Sequence, residues 1–461
     1  MELFVMITAS ILAIAAVIYM LLKKLDIKIT LICVGMILIV VSMIMGKLPV
    51  TNFSEGMAPF NAVIDQFKKT LPGSGFIILI LGGYTAYMSA IGANEVTVNT
   101  LTKPLKHIKS AWVLVPIVFL LGNFLSLVIP SASQLAIILL ATLYPVMRKS
   151  GMSKLTAAAV IATAATVMPT PLGGDNVAIA AQLGMSASDY VFRYHAIVSI
   201  PTLFFMAVVH YFWQKHSDKK DIEKGLVITD DVEVKEVKEI KGGKLYKTVY
   251  TILPILSIVI LLLLYCYNLF PNTTDISMSV ELVSLVSFLV AIISEICRTK
   301  NPRKVLDGTE SFFKGMGKAM GIVVLLVAAG VFVQGLKSIG IISELQNVMT
   351  TANVPGFILP LILVLLTAVI VILSGSGTAL FYAMVPLMVP LAVAAGISAY
   401  AVTVPMGLAG NLLRAVSPVS AVIIIVAGTT KETPFNIVKR TAIPMVAGVV
   451  FMFILSMLFF L

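Results

Sequence analysis

Charge is scarce in this chain. Asp, Glu, Lys and Arg supply 12% of its 461 residues, while 59% are hydrophobic. A soluble domain of this length needs a charged surface, so that class is excluded. Cysteine is nearly absent as well. Cys33, Cys266 and Cys297 lie far apart, in or beside apolar runs, without metal-ligand spacing and without a paired framework. Enzyme signatures are missing: there is no HExxH, no GxSxG and no GxxxxGK. Gly173-Gly174-Asp175 faintly resembles an intramembrane aspartyl protease motif, but no second intramembrane aspartate stands ready to pair with it. The first apolar run follows Glu2 rather than a basic stretch, and reads as a retained span rather than a cleaved signal peptide.

What the chain has instead is apolar length. Runs of about 17–25 apolar residues, enough to cross ~30 Å of hydrocarbon, recur over 3–22, 29–46, 75–92, 195–214, 247–270, 279–296, 319–336 and 441–461. Four longer or broken runs cover 111–147, 155–184, 356–395 and 399–428. The fold class is therefore an all-α polytopic membrane protein. Its net charge of +11 does not point to nucleic acid, because the basic residues sit in short loops between spans.

The two halves resemble each other on either side of a charged stretch at 215–246, expected to be a solvated linker. Each half carries two spans, an amphipathic stretch (53–70 or 303–318), another span, a long segment with a polar middle, a Pro/Gly-broken span and a last span. A shift of 243 residues superposes Ser131 on Ser374, Ser133 on Ser376, Phe192 on Phe435 and Pro201 on Pro444. If 111–147 and 356–395 are re-entrant hairpins, each half has five true spans, and an odd number inverts the second half. Of the 33 Lys and Arg, only Lys47, Lys68, Lys69, Arg193 and Lys337 then fall on one side, with Arg414 in the interior. The positive-inside bias puts the linker in the cytoplasm and both termini outside, in the cell membrane.

Polar, flexible tips inside a membrane are tolerated where they are buried in protein or line a water-filled cavity. Pro130-Ser131-Ala132-Ser133 and Ser374-Gly375-Ser376-Gly377-Thr378 are such tips, one in each half. Their hydroxyls and freed amides can meet an anion; a Ser/Gly kink used for packing is the plainer alternative. MPTPLGGDNVA (168–178) and MGLAGNLLRAVSPVS (406–420) break two further spans and hold Asp175 and Arg414, ionisable groups near mid-membrane. Arg414 offers a donor fork suited to a carboxylate or to a structural salt bridge with Asp175. Asp175 can bind a cation, carry a proton or hold Arg414. Thr170, Asn176, Asn411, Ser417 and Ser420 are further donors, each also explicable as an interhelical hydrogen bond. His195 and His210 read as interface or loop residues, and Trp112 and Trp213 as aromatic-belt residues near span ends.

These residues carry a resemblance. SASQLAIILLATLYPVMRKSGMS, PTPLGGDNVAIAA, SGSGTALFYAMVP and NLLRAVSPVSAVIIIVAGTTKETPFNIVKRTAIP are similar to the anaerobic C4-dicarboxylate carrier family of the DcuC type, in the ion transporter superfamily. The resemblance implies secondary transport of succinate, fumarate or malate by a homodimer with an elevator motion, and no enzymatic activity. It implies scaffold parts at 1–110 and 247–354, with hairpin and transport parts at 111–214 and 355–461. The substrate-binding set it suggests is Ser131, Ser133, Thr170, Asp175, Asn176, Ser374, Ser376, Thr378, Asn411, Arg414 and Ser417. No organic cofactor is expected; Na+ or H+ at Asp175, Ser133 and Ser376 is the candidate coupling ion. Sodium-coupled relatives carry Ser-Asn-Thr at both tips, whereas Ser131-Ala132-Ser133 and Ser374-Gly375-Ser376 lack that asparagine, which leaves proton coupling and exchange open. Carriers of amino acids or tricarboxylates, and an anion channel, are the alternatives.

Overall fold

The computed structural model describes residues 2–23, 25–48, 53–167, 169–224, 243–270, 276–352 and 354–461, and among them there is no strand. Most of the expected linker, 225–242, lies outside the described residues. The first half runs α1 (Glu2–Leu22), α2 (Ile27–Ile44), α3 (Ala58–Thr70), α4 (Phe76–Ala90), α5 (Ala93–Thr102), α6 (Ala111–Ser126), α7 (Ala132–Thr142), α8 (Lys154–Ala162), α9 (Gly174–Leu183) and α10 (Ala196–Glu223). The second runs α11 (Lys244–Asn268), α12 (Val280–Thr299), α13 (Glu310–Ile339), α14 (Ile341–Thr351), α15 (Ile358–Ser374), α16 (Gly377–Ala394), α17 (Tyr400–Arg414), α18 (Ala421–Thr430) and α19 (Pro434–Phe460). The order of long, short and broken helices is the same in both, except that α13 replaces the pair α3 and α4. Residues 71–75 join that pair as a wide turn kinked at Gly73. The amphipathic stretch expected at 303–318 is divided: Pro302–Gly308 is a short helix of its own, and from Glu310 onward the stretch forms the first turns of α13.

Nine helices among the described residues are long and apolar enough to cross a membrane. Many carry large apolar side chains on an outer face, such as Phe204, Val208 and Phe212 on α10 and Val450, Ile454 and Leu458 on α19. Such faces suit lipid. The helices of the first hairpin are shorter, whereas α16 of the second, with 18 residues, is one of the nine. α6 has 16 residues and α7 has 11, about 24 Å and 16 Å at the α-helical rise. Each falls short of a ~30 Å hydrocarbon core.

Packing exchanges the halves. α7 lies on α18 and α16 on α9 as well as on α17, so each hairpin packs against a broken span of the other half. α13 is the most enclosed span and packs on both α2 and α4. Lipid supplies no hydrophobic drive between helices, so contact depends on small residues that let backbones approach. A Cβ on Gly82 of α4 would stand 2.6 Å from the Ala319 Cβ of α13 and 3.0 Å from the Gly315 carbonyl oxygen.

The charged stretch after Gln214 is partly structural, against the expectation of a solvated linker. α10 continues to Glu223 and brings Asp218 and Asp221 against Arg440 of α19, at 2.8 Å and 2.5 Å. Ser153 and Thr156 donate to the same Asp218 oxygen at 2.8 Å and 2.9 Å. Arg440 and Asp218 are buried. This extension also corrects His210, which lies inside the packed helix rather than at its end. It is fully buried, with Thr163 Oγ1 3.2 Å from its Nε2 and Gln214 Nε2 3.4 Å from its Nδ1. His195 is buried too, in the wide turn 190–195, edge-on to Tyr190.

Candidate functional site

Three helices begin at one place. Ser131 at the start of α7, Gly174 and Asp175 at the start of α9, and Gly377 and Thr378 at the start of α16 all line a single cavity of about 780 Å³. The unpaired N–H groups of a first helical turn carry partial positive charge, so three such ends favour an anion. Asn411 and Arg414, in the last turn of α17, line the same cavity. Thus Ser131, Asp175, Thr378, Asn411 and Arg414 of the sequence-derived set are brought together.

The interruptions follow from the sequence. Ser131 has extended backbone and caps α7, its Oγ accepting from the Gln134 N–H at 3.4 Å. At the second tip, α15 ends on Gly375 in the left-handed region at φ +74°. A Cβ there would be strained and 2.7 Å from the Val419 carbonyl oxygen. A Cβ on Gly377 would stand 2.5 Å from the Gly410 carbonyl oxygen. Gly377→Val is therefore expected to lower stability by about 1–3 kcal/mol, as overpacking does. Thermal unfolding of the purified protein in detergent measures it, and an unchanged midpoint would show that the tip yields freely.

Arg414 makes no ion pair among the described residues. The alternative of a salt bridge to Asp175 is not what the structure has. One Arg414 nitrogen donates to the Ala165 carbonyl at 2.6 Å, leaving the rest of the guanidinium free for a ligand. Ala165 belongs to the non-helical break after α8, which Asn123 of α6 holds. Asn123 Oδ1 accepts from the Thr166 and Val167 N–H groups at 3.0 Å each, and its Nδ2 donates to the Thr163 carbonyl at 3.2 Å. Asp175 is satisfied by other donors: the Asn176 N–H at 3.0 Å and Asn411 Nδ2 at 3.2 Å.

The remaining sequence-derived residues do not line this cavity. Thr170 is buried, its Oγ1 accepting from the Leu172 N–H at 3.2 Å and its carbonyl accepting from Asn176 Nδ2 at 2.9 Å. Ser417 donates to the Ile372 carbonyl at 2.7 Å and pins the second hairpin to the second break. Ser374 is buried and accepts from the Ser376 N–H at 3.2 Å. Ser420 is buried. Ser133 and Ser376, expected beside Asp175 at a coupling-ion site, are half-buried away from the cavity lining.

Residues that the motifs did not reveal form the opposite wall: Thr85 and Ser89 of α4, and Ser311, Lys314 and Lys318 of α13. Gln134 Nε2 donates to Ser89 Oγ at 3.1 Å, tying the first tip to α4. Lys314 Nζ is 3.1 Å from Glu310, and Lys318 has no carboxylate partner among the described residues. The signal was the spacing of 311, 314, 315, 318 and 322, which is one face of a helix; it was obscured by ending the amphipathic stretch at 318 and beginning the span at 319.

The model of the family described as DcuC, C4-dicarboxylate anaerobic carrier, matches residues 5–461. The anaerobic C4-dicarboxylate transporter DcuC of Escherichia coli K12 is 35% identical over 424 residues, 90% of this chain and 88% of that protein. A probable anaerobic C4-dicarboxylate transporter DcuC of Vibrio cholerae is 36% identical over 82% of this chain and 80% of its own. Among solved structures, the YdaH transporter of Alcanivorax borkumensis aligns with a TM-score of 0.67 at 17% identity, covering 93% of this chain and 97% of that one. MtrF of Neisseria gonorrhoeae, from a class of antimetabolite efflux pumps, aligns at 0.63 and 16%, covering 92% and 94%. The structural likeness shows the fold, and the match over nearly the whole length shows the family: the chain belongs to the DcuC family of C4-dicarboxylate anaerobic carriers.

Proposed function

We propose that this protein is a secondary active transporter of C4-dicarboxylates such as succinate, fumarate and malate in the cell membrane. The observation that carries the reading is the convergence of three helix N-termini and a free arginine fork on one cavity drawn from both halves of the repeat. One substrate carboxylate meets Arg414 in bidentate geometry. The other lies near the Ser131 and Thr378 ends, where hydroxyls and backbone N–H groups donate. The family's carrier relatives support dicarboxylates as the cargo.

The transport body comprises α6–α10 and α15–α19, and the scaffold α1–α5 and α11–α14, in an inverted repeat. Alternating access is an elevator displacement of the first against the second, in a homodimer. The linker faces the cytoplasm and the termini lie outside. Lys314 and Lys318 stand at the mouth of the cavity on the basic-rich side, so this conformation faces the cytoplasm. Asp175 is the coupling residue, for Na+, for H+, or in exchange.

The test is succinate uptake into proteoliposomes under separate sodium gradients, proton gradients and internal fumarate. Saturable accumulation under one of these is expected; no uptake under any of them would overturn the reading. Asp175→Asn is expected to alter the sodium or pH dependence while preserving the order of preference among dicarboxylates. Unchanged dependence on both would remove Asp175 from coupling.

A further inference from the structure

A second cavity of about 360 Å³ lies between α3, α13, α9 and α16. It shares no residue with the first, yet its α3 and α13 wall is an image of the first cavity's α4 and α13 wall. Moved by 245 residues along the chain, Ser89 falls on Gln334, Ser311 on Gln66 and Lys314 on Lys69. Small and apolar positions follow the same shift: Leu81 falls on Leu326, Thr85 on Gly330 and Ala319 on Ser74. Of the twelve α4 and α13 residues that line the first cavity, eight fall on residues that line the second and Ile78, Gly82, Ala86 and Ile322 do not, and the shift is within two residues of the one that superposes the hairpin tips. The correspondence therefore belongs to the internal repeat and not to the choice of cavity.

The chemistry of the second wall suits an anion. Lys69 and Lys337 have no carboxylate partner among the described residues, and no Asp or Glu lines the cavity. Gln66 Nε2 lies 3.4 Å from Gln334 Oε1, a long contact that a ligand carboxylate can replace. The opposite wall is at present only Ala178, Ala181 and Gln182 of α9 with Pro386 of α16, and no hairpin tip reaches it. On the first side a tip does reach the wall, through Gln134 and Ser89. Moved by the same 245 residues Gln134 falls on Ala379, so the image of that contact is the first turn of α16, at Ala379, against Gln334.

Resting on the dicarboxylate-carrier reading, we propose that the second cavity is the binding station for the same dianion on the opposite membrane face, with Lys69, Gln66 and Gln334 taking over from Lys314, Ser311 and Ser89. The two stations are used in alternation, because the hairpin tips complete only one wall at a time.

Two measurements test this. In proteoliposomes of uniform orientation, Lys69→Gln is expected to raise the KM for succinate about tenfold on the face of the second cavity and to leave the KM on the other face unchanged. Lys314→Gln is expected to do the reverse. Equal shifts on both faces, or none on either, would overturn the assignment. The second measurement needs no substrate. In a variant with Cys33, Cys266 and Cys297 replaced by serine, the pair Gln134→Cys and Ser89→Cys is expected to cross-link. So is the pair Gln334→Cys and Ala379→Cys, in a separate population of molecules. Cross-linking of the first pair alone would overturn the proposal. If the wild-type protein carries no dicarboxylate, the function fails, while the second pair still decides whether the two walls exchange partners.

Discussion

Arg414→Ala is expected to reduce succinate uptake by 30-fold or more while the protein still purifies as a folded species. The loss follows from the position of the group. Removing one partner of a desolvated charge pair costs on the order of 2–5 kcal/mol, and 1.4 kcal/mol is a factor of ten. Survival of the fold follows from the contacts: Arg414 holds only the Ala165 carbonyl, and Asn123 keeps the break in place without it. Arg414→Lys is expected to recover part of the activity, because a point charge replaces the planar fork. Wild-type uptake by Arg414→Ala would sink the binding role, and a collapsed melting profile would make Arg414 structural.

The other arginine has the opposite balance. Arg440→Ala is expected to destabilise the protein by about 3–5 kcal/mol, the usual result of removing one member of a buried ion cluster. Asp218 would remain buried beside Ser153 and Thr156 with its counter-charge gone. Asp221 would lose the same partner. A fall in the unfolding midpoint in detergent measures the effect. Neutralising both sides together, as in Arg440→Leu with Asp218→Leu and Asp221→Asn, is expected to restore much of the loss. If the combined variant is no better than Arg440→Ala, packing rather than charge is what Arg440 supplies.

The sequence made the helical membrane class legible because apolar run length is set by bilayer thickness, and few other demands compete with it. At the hairpins the sequence pairing is off by two residues: Ser131 stands immediately before the helix that leaves the first tip, and its counterpart at the second tip is Ser376, because Ser374 ends the helix that enters. Part of the site was legible because an ionisable residue such as Arg414 inside an apolar run has few structural explanations. The wall residues were not legible. Lys314 and Lys318 look like loop lysines until α13 is known to start at Glu310. Ser417 and Thr170 look like ligands because a hydroxyl in a membrane must bond something, and only the fold reveals that a backbone carbonyl and a backbone N–H are the partners. His210 and Asp218 were misplaced because hydropathy falls at Gln214 while the helix continues.

The cavity carries a consequence for energy coupling. Asp175 and Arg414 line it without pairing, and their charges cancel in sum. In the elevator proposed above, and with Asp175 ionised, an empty carrier that moves these two residues across the bilayer is electrically silent, and one loaded with a bare dicarboxylate moves two negative charges. Each elementary charge is worth about 2.3 kcal/mol per 100 mV of membrane potential, so a bare dicarboxylate entering a cell that is negative inside climbs about 4.6 kcal/mol at that voltage. Swapping one dianion for another removes the term altogether, and two cations travelling with the substrate cancel it. On that proposal a resting potential makes efflux of a bare dicarboxylate the electrically downhill direction, and turns uptake into a matter of what comes along or what leaves.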